Sequence, residues 1–116
     1  MSTRLNCRTR IFAALLIVAA CHPPDRAEDV FNASITIRGH KFEPPELHVP
    51  AGKRIVLTVI NADPPSEEFD SAALKAEKVI AGSSQGIVRI APLKPGSYEF
   101  VGEYHEQTAK GRVIAE

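Results

Sequence analysis

Five imidazole and carboxylate side chains lie in two segments of the chain that could together hold a metal ion. The set is His105 with Glu103 and Glu106 in residues 98–111, and Glu67 with Glu68 in residues 61–71. These are hard ligands, which suit iron or Cu(II) better than Cu(I). If the fold brings both segments to one end of the domain, we expect the five side chains to converge on one metal ion.

Within this set, Glu68 is the favoured carboxylate partner of His105. Phe69 should point into the core and fix the backbone beside Glu68, which leaves Glu67 as the second choice. The alternative is that all the acidic side chains are solvated loop residues around an isolated histidine.

Two other histidines of the domain are predicted to be structural or surface residues. His40 follows Gly39 in a turn, and His48 alternates with the core-facing residues Leu47 and Val49. Neither joins the predicted ligand set.

No catalytic motif accompanies these residues. The serines near the acids, Ser66 and Ser71, have no histidine at a recognisable spacing, and neither a nucleophile elbow nor a phosphate-binding glycine loop occurs. Without residues 1–20, eleven basic residues stand against fourteen acidic ones, so no basic stripe is present to neutralise phosphates. We therefore predict neither an enzyme nor a nucleic-acid binder.

Residues 1–20 have the layout of a secretory signal peptide. Arg4, Arg8 and Arg10 precede an apolar run over residues 11–20. That run is too short to span a bilayer core of ~30 Å. It ends in Val-Ala-Ala followed by Cys21, which resembles a bacterial lipoprotein processing site. We predict lipidation of Cys21, with ordinary signal-peptidase cleavage near the same residues as the alternative.

Residues 21–32 are predicted to form a polar tether between this anchor and the domain. The segment is charged and contains Pro23 and Pro24. Cys7 leaves with the signal peptide, so the domain over residues 33–116 contains no cysteine. It therefore has neither an internal disulfide nor a thiolate ligand.

Short alternating segments separated by glycine and proline turns predict an all-β domain. The expected strands cover residues 33–38, 46–49, 54–61, 78–80, 87–90, 97–101 and 111–116. The most apolar strand, residues 54–61, should be central, with Ile55, Leu57 and Val59 on one face. Residues 71–78 are either two turns of helix or an irregular edge segment. The pattern as a whole predicts an antiparallel Greek-key β-sandwich.

The sequence motifs and their order along the chain resemble those of the cupredoxin family. The opening strands are matched by residues 37–61, IRGHKFEPPELHVPAGKRIVLTVIN, and the closing ligand loop by residues 92–100, PLKPGSYEF, with His105 and Gly111. A closer similarity, to cupredoxin-like domains of bacterial periplasmic proteins associated with iron transport, is carried by EEFDS at 67–71, Leu74, EKVI at 77–80 and GEYH at 102–105. The resemblance covers residues 33–116 and implies a cupredoxin-like sandwich.

The resemblance also identifies which copper ligands are missing. A blue-copper centre uses two imidazoles, a thiolate and usually a weak thioether. The expected cysteine is Gly102 here, and no methionine lies between His105 and Gly111. The first histidine is replaced by the region of Glu67 and Glu68. We therefore exclude a type 1 copper site and expect one ion of iron or Cu(II).

Together these observations predict an exported, cupredoxin-like metal-binding protein. The resemblance implies iron or copper handling in the periplasm or cell envelope, with a lipid anchor at Cys21 and an iron permease or another envelope protein as partner. A hypothesis of a different class is a metal-free interaction module that presents its loop end to such a partner. A third, a metal-dependent oxidase, requires a redox-cycling site.

The predicted processing site makes export testable. We expect the mature protein to start at Cys21 and to carry diacylglycerol, because small residues precede the cysteine. Intact-mass measurement of membrane-purified protein should show the lipid, and Cys21→Ser should release or misprocess the protein. An unmodified soluble form that starts elsewhere would contradict this prediction.

Overall fold

The computed structural model describes residues 29–116, which form nine β-strands. The strands are β1 (Val30–Arg38), β2 (Lys41–Glu43), β3 (Glu46–Val49), β4 (Arg54–Asn61), β5 (Glu67–Ser71), β6 (Ala76–Ile80), β7 (Ser84–Ile90), β8 (Gly96–Gly102) and β9 (Lys110–Ala115). A 3₁₀ turn, Glu103–His105, follows β8. From residue 29 onward, no helix is long and apolar enough to cross a membrane.

The predictions for the N-terminus mostly concern residues that precede residue 29. The signal peptide, the lipidation of Cys21 and residues 21–28 of the tether all lie outside the described part of the chain. The remaining tether residues include the start of β1, because this strand begins at Val30, three residues before its predicted start.

The strands form two sheets with a shared core between them. The four-stranded sheet has the order β2-β1-β4-β7, and the five-stranded sheet has the order β3-β9-β8-β5-β6. Most neighbours are antiparallel, whereas β1 with β4 and β3 with β9 are parallel. The predicted cupredoxin-like β-sandwich is confirmed, with one parallel pair added to each sheet.

Alternation along β4 supplies the central row of the core. Ile55, Leu57 and Val59 are buried, and the residues between them are only half-buried. Because β4 lies between β1 and β7, its backbone is hydrogen-bonded on both edges. The sequence prediction of a central strand is therefore confirmed.

Three aromatic rings in mutual contact fill part of the core. Phe42, Phe69 and Phe100 are all buried. The ring centroid of Phe100 lies 4.9 Å from that of Phe42 and 5.0 Å from that of Phe69. Edge-to-face and tilted contacts at these separations are favourable for aromatic rings. They join β2 of one sheet to β5 and β8 of the other.

Three segments differ from the sequence predictions. Residues 67–71 are not a loop but β5, paired with β6 and β8. Strand β7 begins at Ser84, three residues before its predicted start at residue 87, and β2 is an additional short strand. Residues 71–78, left open between helix and irregular edge, contain the turn from β5 to β6. Cross-strand pairing rather than composition sets these boundaries, since strand preference depends strongly on context.

Four chain segments meet at one end of the sandwich. Residue 61 ends β4, residue 67 begins β5, and residue 102 ends β8. The β5–β8 register sets Phe69 opposite Gly102, so the start of β5 extends toward the turn after β8. The β1–β2 turn at Gly39 and His40 lies at the same end. This end is called the loop end below.

The central position of β4 leads to a stability prediction. Leu57 has no exposed surface, so Leu57→Ala should lower the free energy of unfolding by about 2–5 kcal/mol. Urea unfolding monitored by circular dichroism measures this change. Thr58→Ala, on the half-buried face of the same strand, is the matched control and should cost much less. A cost near zero for Leu57→Ala would place the residue outside the core.

Candidate functional site

A buried carboxylate and an imidazole form the centre of the loop end. The Oε2 atom of Glu67 lies 2.6 Å from Nδ1 of His105, and Glu67 is only 1% exposed. Its Oε1 atom accepts hydrogen bonds from the backbone N–H groups of Tyr104 at 2.8 Å and Glu68 at 3.0 Å. The carboxylate therefore has three partners from two segments, which is how a buried charged group is made tolerable.

The strand pattern of β5 explains why Glu67 rather than Glu68 meets His105. Successive side chains of a strand point to opposite faces. Glu67, Phe69 and Ser71 are buried, whereas Glu68 and Asp70 are half-buried on the outer face. The favoured partner in the sequence analysis, Glu68, is thus directed away from His105, and the second choice makes the contact.

A second carboxylate fixes the β1–β2 turn against this pair. Asp63 accepts hydrogen bonds from the backbone N–H groups of Gly39 at 2.8 Å and His40 at 2.9 Å. These backbone donors, His40 first, lower the pKa of Asp63. Asn61 is buried and bonds to the carbonyl oxygens of Pro65 and Ile80, which shapes the loop that carries Asp63.

Because Asp63 holds the β1–β2 turn in this position, the ring of His40 stacks on the ring of His105. The rings of His40 and His105 lie with centroids 3.7 Å apart and planes 14° from parallel. A ring nitrogen binds a metal in the plane of its own ring at ~2.0–2.1 Å. Two nearly parallel ring planes do not intersect within that distance of both rings, so no single point lies in both planes at bonding distance. In this arrangement the two imidazoles cannot share one metal ion.

Ala109 and Glu67 fill the space that a cysteine side chain at residue 102 would need. A Cβ atom built on Gly102 would lie 2.7 Å from Cβ of Ala109 and 2.8 Å from Cδ of Glu67. Both distances are below those that real Cβ atoms show. A thiolate at residue 102 therefore does not fit beside the Glu67 carboxylate. With no sulfur ligand and no room for one, these residues do not fit a type 1 copper ion.

A second group of acids lies on the outer face of the sheet, beside the pair formed by Glu67 and His105. Glu68 of β5, Glu77 of β6 and Glu103 of the 3₁₀ turn each place one carboxylate oxygen within 4.8 Å of the others. We call these three residues the carboxylate trio. Hydrogen bonding with Glu77, burial and the charge of Glu103 raise the pKa of Glu68 to about 7. The trio thus concentrates negative charge that a cation would relieve.

The predicted ligand set is therefore divided between two places. Glu67 and His105 form the buried pair, whereas Glu68 and Glu103 belong to the trio. Glu106 is exposed and belongs to neither group. The two segments that carry these residues, 61–71 and 98–111, meet at the 2.6 Å contact between Glu67 and His105, although Glu67 lies on strand β5 rather than in a loop.

Sequence reasoning missed two residues of the loop end. Glu77 enters the trio because β6 pairs with β5, a pairing hidden by the ambiguous segment before it. His40 stacks on His105 although the sequence predicts only a structural role for it. The residue spacing along the chain gave no indication of either contact. His48, by contrast, is exposed on β3 as predicted and bonds to Glu116.

The fold and the loop end agree with one protein family. The profile of the cupredoxin-like domain family matches residues 10–115, so the chain belongs to this family. A protein of Rickettsia prowazekii (strain Madrid E), RP394, described as uncharacterized, is 38% identical over 106 residues. That match covers 90% of this chain and 85% of the Rickettsia protein.

Solved structures with the same fold include copper proteins. Auracyanin A, a blue copper protein of Chloroflexus aurantiacus, has a TM-score of 0.64 at 16% identity, covering 75% of this chain and 99% of its own. The metal-binding domain of the Cu(I)-exporting ATPase CopA of Streptococcus pneumoniae D39 has a TM-score of 0.64 at 18% identity, covering 76% and 87%. Amicyanin from Paracoccus versutus has a TM-score of 0.56 at 18% identity, covering 72% and 80%. At these identities the likeness shows the fold alone.

The raised pKa of Glu68 predicts how stability depends on pH. Its folded-state value of about 7 lies above the ordinary 4.5, so between these values the folded protein binds more protons than the unfolded chain. The contribution of Glu68 to stability is therefore present at about pH 4.5 and is lost as the pH rises toward 7. In metal-free buffer, urea unfolding across this range should show this loss in the wild type.

Two variants check the assignment to Glu68. Glu68→Gln should flatten the decline, because the amide does not titrate. Glu106→Gln, an exposed acid outside the trio, should keep the wild-type profile. Identical pH profiles for all three proteins would remove Glu68 from the explanation.

Proposed function

We propose that this protein is an exported, cupredoxin-like metal-binding protein of the cell envelope that handles iron or copper without a type 1 copper site. The observation that carries the proposal is the carboxylate trio, which gathers three acids from three separate elements at the loop end. The family membership and the copper proteins that share the fold support a metal-related role.

The chemistry of the trio favours a hard cation. All three ligands are carboxylate oxygens, which suit iron in preference to Cu(I). The hydrogen bond with Glu77, burial and the charge of Glu103 raise the pKa of Glu68, and a bound cation would offset the last of these. We therefore propose iron or Cu(II) as the ion, and the iron setting comes from the resemblance.

The cellular setting of the proposal comes from the N-terminal sequence and the resemblance. The signal-like residues 1–20 and Cys21 favour the periplasm or cell envelope, with a lipid anchor in a membrane. An iron permease or another envelope protein is the proposed partner. We propose a binding role rather than an enzymatic one, because the sequence carries no nucleophile-elbow or phosphate-loop motif.

A second function, a metal-free interaction module, is favoured by two exposed apolar side chains. Tyr104 and Val79 are 51% and 53% exposed, and both lie beside the trio. Tyr104 follows Glu103 directly, and Val79 is paired with Glu68 across the β5–β6 ladder. Exposed apolar side chains beside acids are also groups that a protein partner could contact.

Metal titration separates the two functions. Calorimetry with Fe(II) under anaerobic conditions, and separately with Cu(II), should show one bound ion on the purified full-length protein. Glu77→Gln should weaken binding by about tenfold or more, corresponding to ~1.4 kcal/mol or more, because it removes one charged ligand. Binding should also weaken as the pH falls below about 7, where Glu68 takes up a proton.

Two controls complete the titration. Glu106→Gln changes an exposed acid on the same loop but outside the trio, and it should bind as the wild type does. His105→Ala asks whether the imidazole belongs to the ligand set, as the sequence predicts. No measurable binding by the wild type with either metal would overturn the metal-binding proposal in favour of the interaction module.

A further inference from the structure

The contact between Glu67 and His105 spans two distant parts of the chain. The residues are 38 positions apart, one at the start of β5 and the other in the 3₁₀ turn after β8. Tyr104 N–H also donates to Glu67, so the turn is attached to β5 through both a side chain and the backbone. Each of these bonds is 2.8 Å or shorter.

The same two segments are where the resemblance to cupredoxins places copper ligands. A metal with ligands from both segments would crosslink them. In this chain a carboxylate makes that link instead, and the absence of a side chain at Gly102 leaves the room it needs. A Cβ at residue 102 would lie 2.9 Å from Oε2 of Glu67, the oxygen that bonds His105.

Glu67 is also poorly placed to exchange this role for metal binding. Both its oxygens already have donors, and its side chain is 2% exposed. Moving Oε1 onto a metal would leave two part-buried backbone N–H groups without their acceptor, and losing both hydrogen bonds would cost stability. The ring of His105 is further held by the stacked ring of His40.

From these contacts we infer that Glu67 closes the loop end of this domain in place of a metal ion, by crosslinking β5 to the turn after β8 through His105. The start of β5 and the turn after β8 then stay fixed to each other whether or not a metal is bound. A cation at the carboxylate trio can bind or leave while the crosslink stays in place. This inference stands whether or not the trio binds a metal.

Amide hydrogen exchange on the purified full-length protein tests the inference. In buffer with EDTA, the amides of Glu68 and Tyr104 should already be protected in the wild type, because the Glu67 carboxylate accepts from both. Glu67→Gln should speed their exchange by about tenfold or more, since the ionised acceptor is lost. The thermal midpoint of Glu67→Gln should also fall by about 5–15 °C.

Two further variants keep the test decisive. His105→Gln removes only the imidazole end of the crosslink, and it should lower the midpoint in the same direction even if Glu67→Gln does not fold. Glu106→Gln, an exposed acid in the same loop, should leave both measurements unchanged. The inference is overturned if wild-type protein in EDTA exchanges these amides as fast as Glu67→Gln and regains protection when Fe(II) or Cu(II) is added. It is also overturned if Glu67→Gln and His105→Gln both behave as the wild type does.

Discussion

The loop end depends on the burial of one carboxylate. An ionised glutamate with 1% exposure is tolerable only because three hydrogen-bond donors surround it, two from the backbone and one from His105. Those donors come from β5 and from the turn after β8, so satisfying the charge also fixes that turn against β5. Gly102 is part of the same constraint, because any side chain there would compete with the carboxylate for space.

Strand alternation then separates two neighbouring glutamates into different chemistries. Glu67 faces inward, where its charge is compensated and its role is structural. Glu68 faces outward, where Glu77 and Glu103 raise its pKa to about 7 rather than compensate it. One strand therefore presents an acid with three hydrogen-bond donors to the core and an acid grouped with other acids to the surface. The surface acid is the one that a cation could reach.

This division distinguishes the protein from the blue copper proteins whose fold it shares. In that type of centre, soft sulfur ligands help to select copper. Here the sulfur is absent, its space is occupied, and the exposed acids favour harder ions. A binding role on this scaffold would therefore move from the interior of the loop end to its outer face.

Residue pattern and residue type alone predicted the β-sandwich, the central strand with Leu57 and the lack of a thiolate ligand. These follow from alternation, turn residues and residue type, all of which are local properties of the chain. Strand pairing decided that the two segments meet, that His40 stacks on His105 and that Glu77 joins the trio. It also made residues 67–71 a strand, on which Glu67 shares the inward face of Phe69 and Glu68 does not. Each of these depends on which strand pairs with which, and in which register, and a shift of one residue would exchange the two faces of β5. Polar strands such as β5 carry too weak a hydrophobic pattern to fix that register from the sequence.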